Sequence, residues 1–223
     1  QNKFGFKCIF VFVPEGKTEQ QISYLLKENE TYHDFYFLTM PDLEEGWYTL
    51  AQKNLIAQRF GIQQFPEYQF YSRIDDESVV NVDIVADYLL SIKDPTASVI
   101  GLWQWNYQIK PDPEYFYFDP LGVNVNGYAY PYGCLEIFSR DVTEFLVQEE
   151  NYYNIPPSCL EDNTIGLLLY RYTKVKSRRI KFLEPAPTRF GGEEYEIANH
   201  DKDFTRSKKY WELLIRKNKY IQI

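Results

Sequence analysis

At 223 residues and 26.6 kDa the chain suits one large domain with a sizeable buried core, and its 44% hydrophobic and 25% charged shares are ordinary for a globular protein. A net charge of −8 and a pI near 4.9 argue against non-specific binding to nucleic acid. No run of eighteen apolar residues offers a membrane span.

Aromatic residues make up 18% of the chain, and composition favours a Tyr-rich core and surface over sugar-stacking platforms. The basic stretches 174–181 and 206–209 read as solvated faces. Cys8, Cys134 and Cys159 leave at least one thiol unpaired within the chain and settle no compartment. The chain opens on Gln1-Asn2-Lys3 with no initiator Met and no signal peptide, and so reads as a trimmed fragment. Asn29-Glu30-Thr31 is a glycosylation sequon, a weak pointer to a secretory setting.

In chain order, 7–13 is a continuous apolar run bounded by Gly5 and Pro14, the pattern of a strand buried on both faces. A helix is expected over 17–27 and an aromatic strand over 34–40. Trp47, Leu50, Ala51 and Leu55 recur at helical spacing and predict the inner face of a helix ending near Gly61. A strand over 68–74 delivers the chain to Asp75-Asp76-Glu77, and Val82, Val85, Ala86 and Leu89 mark the next amphipathic helix. This alternation argues for a single α/β domain over 1–223 with mostly parallel strands.

The second half is less regular. A strand is expected over 98–105, and 107–132, rich in Pro, Gly, Asp and Tyr, predicts a long loop region carrying part of a binding site. Leu135 to Phe138 is a short apolar run, with Ser139 placed to cap a helix through Val142, Phe145 and Leu146. Glu161-Asp162 precedes a helical stretch through Tyr170, and a last helix holds Tyr210, Trp211, Leu213 and Leu214.

The acidic triplet Asp75-Asp76-Glu77 carries the chemistry. Adjacent carboxylates after an apolar strand repel one another unless a cation gathers them, and oxygen ligands suit Mg²⁺ or Mn²⁺. An acidic turn at a strand end is the bland alternative. The end of a strand in an open α/β sheet, where ligands bind, tips the reading toward a site.

The segment from Arg73 to Asn81 resembles the "K-x-DDD-x-x-x-N" metal-binding segment of the beta-1,3-galactosyltransferase family. Further segments match in the family's order. Glu28 with Tyr32-His33-Asp34 looks like its "E…YHD", and Asp42 through Leu50 to Lys53 is similar to its "D-x-Y-x-N-L-T-x-K". Tyr130, Gly133 and Ile137-Phe138-Ser139 resemble "Y-x-x-G-x-x-Y-V-L-S". Glu161-Asp162 with Gly166 fits "E-D-V-x-x-G", and His200 followed by Tyr210-Trp211 looks like the "C-H…Y-W" tail.

The resemblance implies a GT-A-like, Rossmann-type sheet flanked by helices, lacking the family's first strand and its Arg-rich helix, which would precede Gln1. It implies inverting transfer of a hexose, galactose or N-acetylglucosamine, from a UDP-sugar to a hydroxyl of a glycan or glycoprotein acceptor in β1,3 linkage, with Mn²⁺ (or Mg²⁺) as cofactor. Glu77, Asp75 and His200 are the implied metal ligands. Asp75, Asp76 and Lys53 are the implied contacts to the nucleotide sugar. Asp162 is the implied general base, with Glu161 as fallback; capping of the following helix is the competing role. Trp103, Trp105 and the Tyr128–Tyr132 cluster are candidate sugar-stacking groups, with core packing the expected role for at least half of them. The family's setting implies the Golgi lumen, with a type II membrane anchor before this segment and no nucleic-acid partner.

Several positions depart from the family pattern. The triplet ends in Glu77 in place of Asp, Glu136 stands where an aromatic is usual, and Asn163 follows the acidic pair. The "P-x-R" and Lys-Trp segment expected after the strand at Trp103 is replaced by Lys110-Pro111-Asp112-Pro113 and an aromatic run. The changes at 77, 136 and 163 motivate a competing reading, a catalytically silent relative that binds a sugar or glycoprotein; the triplet by itself offers a third, a phosphoryl-transfer enzyme.

Overall fold

A computed structural model describes residues 5–38, 46, 49–75, 78–104, 128–153, 161–183, 198–200 and 212. In chain order these form β1 (Phe10–Phe12), α1 (Glu19–Tyr32), β2 (Phe35–Phe37), α2 (Leu50–Gln64), β3 (Phe70–Arg73), β4 (Ser78–Val80) and α3 (Val82–Ser91). There follow β5 (Ser98–Gln104), β6 (Tyr130–Ser139), α4 (Arg140–Leu146), α5 (Glu149–Tyr153), α6 (Glu161–Val175), β7 (Lys181–Leu183) and β8 (Ala198–His200).

The helices start where the sequence supplies caps. Thr18 and Gln21 form a reciprocal capping box: the Gln21 N–H donates to Thr18 Oγ1 at 3.3 Å and the Thr18 N–H to Gln21 Oε1 at 2.9 Å. Asn81, the last residue of the triplet motif, caps α3 by accepting from the Ile84 N–H. Ser139 stands at the N-cap of α4, but its hydroxyl makes no cap bond. It accepts from the Ser98 N–H at 3.0 Å and donates to Asp141 Oδ1 at 2.7 Å, tying β5 to the helix start. The sequon residue Asn29 is also built into the fold: its side-chain amide both donates to and accepts from the main chain of Phe35.

A four-stranded sheet in the order β3-β6-β5-β7 forms the centre, β6 antiparallel to both β3 and β5, and β5 parallel to β7. β1 and β2 pair in parallel, and β4 pairs antiparallel with β8. The expected helix-flanked α/β sheet is present, but parallel pairing does not dominate among the described strands. Alternating strands and helices in the first half of the sequence imply helical crossovers there. β6 instead emerges from the Tyr- and Pro-rich stretch, whose turn-like composition hid a ten-residue central strand. β1 also departs from expectation: Phe10 is 46% exposed and its two successors are half-buried, so the strand is not covered on both faces.

Strand alternation divides the core between two faces. Val99, Trp103 and Phe138 point toward α2, α4 and α6, where Leu55, Val142, Leu146, Ile165, Leu168 and Tyr172 close around them. Ile100, Leu135 and Ile137 point the other way, against α3 through Val85. Burying each large apolar side chain of this kind is worth roughly 1.5–3 kcal/mol. Gly166 lets α6 lie directly on the start of β6: a Cβ there would stand 2.9 Å from the Ala129 carbonyl oxygen. Trp103, a candidate stacking residue, is only 6% exposed and meets Phe182 edge to face, so its ring belongs to the core. Tyr130 is buried as well. Trp105 and the C-terminal helix expected around Tyr210, Trp211, Leu213 and Leu214 lie outside the described residues.

Candidate functional site

The same alternation that builds the core builds a polar site at its edge. Phe138 and Glu136 are two residues apart on β6, so both face α2 and α6. Arg73 pairs with Glu136 across the β3–β6 ladder and shares that face. Beyond Arg73 the chain turns: the Asp75 N–H donates to the Gly133 carbonyl at 3.1 Å and the Ser78 N–H to the Asp75 carbonyl at 3.0 Å. Asp75, the first acid of the triplet, thus stands just after β3 and before β4. Asp76 and Glu77 lie outside the described residues.

Four carboxylates meet around the Arg73 guanidinium. Nη2 stands 2.7 Å from both Asp75 Oδ1 and Glu161 Oε2, while Nη1 stands 3.7 Å from both Glu136 Oε2 and Asp162 Oδ1. Glu161 and Asp162 arrive on the first turn of α6, where the helix dipole favours negative charge. Both oxygens of Glu161 are engaged, since Asn54 Nδ2 on α2 donates to Oε1 at 2.7 Å. Gln58 Nε2, one helical turn on, donates to Asn54 Oδ1 at 2.8 Å. Gly133 is what allows Arg73 to cross β6: a Cβ there would fall 2.2 Å from Nη1 and 2.9 Å from Asp75 Oδ2.

One guanidinium cannot neutralise four acids, and burial makes the surplus charge costly. Burial works against the charge of Arg73, but Glu161, Glu136, Asp75 and Asp162 outweigh it and hold the guanidinium protonated. Glu136 is fully buried and neither of its oxygens has a hydrogen bond; burial raises it well above the ordinary carboxylate range despite Arg73. Burial likewise pushes Glu161 up to about 7, with Arg73 opposing and Asp162 adding to the shift. Asp162 is pushed up to about 6 by burial, against Arg73, with Asp75 adding and the Gly133 N–H holding it back. Its side chain stays 25% exposed and that of Asp75 26%, whereas Glu161 is 4% exposed. Asp75 and Asp162 are thus partly open to solvent, while Glu136 and Glu161 are closed off from it.

The structure therefore brings together Asp75, Glu161 and Asp162. The β4–β8 ladder pairs Ser78 with His200, so the backbone of His200 lies opposite the residue following Glu77. Lys53 is half-buried on α2, one residue before Asn54. Among the described residues no three His, Cys, Asp or Glu side chains are gathered into a ready-made metal cluster. The acids at the turn are nevertheless hard oxygen donors, chemically suited to a hard divalent ion.

Sequence reasoning missed the partners. Arg73 was only the opening residue of a motif, Glu136 only a departure, and Asn54 and Gln58 went unmarked. Their signals are present: a lone acid inside Leu135-Glu136-Ile137-Phe138, and amides at 54 and 58 on the same helical face as Ala51 and Leu55.

Among curated proteins no sequence matches the chain. The crystal structure of a glycosyltransferase involved in the glycosylation of the major capsid of PBCV-1 is similar over 92% of this chain and 98% of that one, with 16% identity and a TM-score of 0.43. The model of the galactosyltransferase family matches residues 1–180, which include the triplet, Gly133 and the acidic pair. The chain belongs to the galactosyltransferase family, and with it to the glycosyltransferases.

Proposed function

We propose that this chain is the catalytic part of an inverting, metal-dependent hexosyltransferase that moves galactose or N-acetylglucosamine from a UDP-sugar to a hydroxyl of a glycan or glycoprotein in β1,3 linkage. The observation that carries the reading is the division of labour between adjacent acids on α6. Glu161 has both oxygens tied to Asn54 and Arg73, while Asp162 remains partly exposed beside Arg73.

Inversion needs one displacement. The acceptor oxygen attacks the anomeric carbon, the bond from that carbon to the diphosphate breaks on the opposite face, and the hydroxyl proton passes to Asp162. An acid raised to about 6 is still mostly ionised at neutral pH and is a stronger base than an ordinary aspartate. Glu161 is closed to the acceptor and serves as a clamp. Asp75, Glu77 and His200 are the residues that would hold Mn²⁺ or Mg²⁺, and Asp76 and Lys53 would contact the nucleotide sugar. The bound ion would supply counter-charge to the departing diphosphate. We place the protein in the Golgi lumen, held by an anchor preceding this segment; among the described residues no helix is long and apolar enough to cross a membrane.

A second reading rests on Arg73, which already brings a cation to within 2.7 Å of the first acid of the triplet. In that reading the protein binds a sugar or glycoprotein without turning over a donor. Calorimetric titration of UDP in the presence of Mn²⁺ and then EDTA, repeated on Glu77→Ala, separates the two. Metal-dependent binding that disappears in the variant is the expected result. Absence of UDP binding under every condition would overturn the transferase reading.

A further inference from the structure

Asp75 and Asp162 sit at the partly exposed edge of an ion-pair network whose inner members are buried. From β3 Arg73 reaches two acids within hydrogen-bonding distance, Asp75 and Glu161, and two more at 3.7 Å. A guanidinium with that many partners on different elements needs a fixed reference, or it would swing among them. Glu161 is 4% exposed and takes one donor on each oxygen, from Arg73 and from Asn54. Asn54 is itself 5% exposed, and its carbonyl oxygen accepts from Gln58, which is equally buried. The chain Gln58–Asn54–Glu161–Arg73–Asp75 thus runs from the interior of α2 to the first acid of the triplet.

Helix packing alone does not account for it. Ala51 and Leu55 on the same face of α2 are buried and apolar, and the amide at 54 interrupts that face to give a buried Glu161 oxygen its donor. A buried amide between them is retained where its hydrogen bonds set a geometry.

We infer that Asn54 is a positioning residue of the site, which acts through Glu161 to lock the Arg73 guanidinium and thereby fixes Asp75 and Asp162. This rests on the transferase reading for its kinetic consequence, but not for its structural one. Gln58 holds the Asn54 amide in the orientation that presents its NH₂ to Glu161.

The test is Asn54→Leu, followed in parallel by side-chain guanidinium NMR and by UDP release from UDP-sugars with acceptor. The Arg73 signals are assigned by their loss in Arg73→Lys. In the native protein the guanidinium NH₂ groups of Arg73 should be resolved, because its ion pairs stop rotation. In Asn54→Leu they should collapse, and kcat should fall about tenfold while the KM for donor holds, the size of effect usual for removing a supporting partner. A merely structural role would lower the melting temperature while leaving the Arg73 signals and the turnover per folded molecule in place. Arg73 signals that remain resolved in Asn54→Leu overturn the inference whatever the activity. Collapse in a protein whose native form releases no UDP would keep the inference and overturn the transferase reading. If Asn54→Leu does not fold, Asn54→Asp replaces it, matching the native shape while turning an acceptor toward Glu161.

Discussion

A single carboxylate and a group of four stand at strand ends of the same sheet in opposite surroundings. Asp141, on the first turn of α4, meets donors on every side: the Ala97 N–H, the Ser139 hydroxyl and the Tyr172 hydroxyl at 2.6 Å. Burial alone would raise it, but those hydrogen bonds prevail and hold it below the ordinary aspartate value. Around Arg73 the balance is reversed, with four acids sharing one cation, and Glu136, Glu161 and Asp162 are all raised. A carboxylate that ties elements together is given mostly neutral donors in full. Around Arg73 the acids outnumber the cation, and in the proposed mechanism that surplus is what makes Asp162 responsive to a substrate, a proton or a cation.

The comparison breaks most visibly at Asp162. Asp162→Asn should lower turnover by about 10²–10⁴-fold, the usual contribution of a general base, while UDP still binds. Donor-saturated UDP release reads this directly, and near-native turnover in the variant would remove Asp162 from the mechanism. Gly133→Ala comes next. Its Cβ would overlap Arg73 Nη1, so the guanidinium must leave its acids, with a stability loss of roughly 1–3 kcal/mol and loss of activity. Chemical denaturation and the same UDP-release assay check both parts. At the other end, Tyr172→Phe removes one donor from Asp141 and should cost about 1.5 kcal/mol with turnover unchanged. If Tyr172→Phe impaired turnover as Gly133→Ala does, the two carboxylate groups would not be functionally separate.

Much of this was legible before any coordinates. Helical spacing locates α2, α3, α4 and α6 to within a few residues, and the first acid of the triplet and the acidic pair do meet at Arg73. The apolar side chains of those helices are the ones that close the core, because burial of one face is what their spacing encodes. The rest depends on register, which spacing does not carry. Nothing in the sequence states that Arg73 stands opposite Glu136, and that pairing across two strands 63 positions apart decides which acids meet. β6 was half hidden for a related reason: Tyr130, Pro131 and Gly133 look like turn residues, yet Gly133 is in the strand because a side chain must pass over it. The long aromatic stretch expected to carry part of a binding site lies, from 105 to 127, outside the described residues.

The smallest effect tests the electrostatic contrast without any substrate. Glu161 rises from an ordinary 4.5 to about 7 and Asp162 from 3.8 to about 6, so the folded protein holds protons that the unfolded chain has already released. Stability from these groups is full below about pH 4 and is lost as pH rises through 6 and 7, because the unfolded state binds fewer protons there. Asp141 works the other way: its contribution is present above the ordinary aspartate pKa and is lost only as pH falls through its depressed value. Between pH 5 and pH 8 Asp141 is therefore silent, and the Arg73 cluster should lower the melting temperature on the order of 5 °C. Scanning calorimetry in EDTA measures the slope, and Glu161→Gln should flatten it. Mn²⁺ should recover more of the melting temperature at pH 8 than at pH 5, since only deprotonated carboxylates attract a divalent ion. A melting temperature that is independent of pH over this range would mean that the acids around Arg73 are as fully satisfied as Asp141, and that the difference between the two strand ends is one of residue count alone.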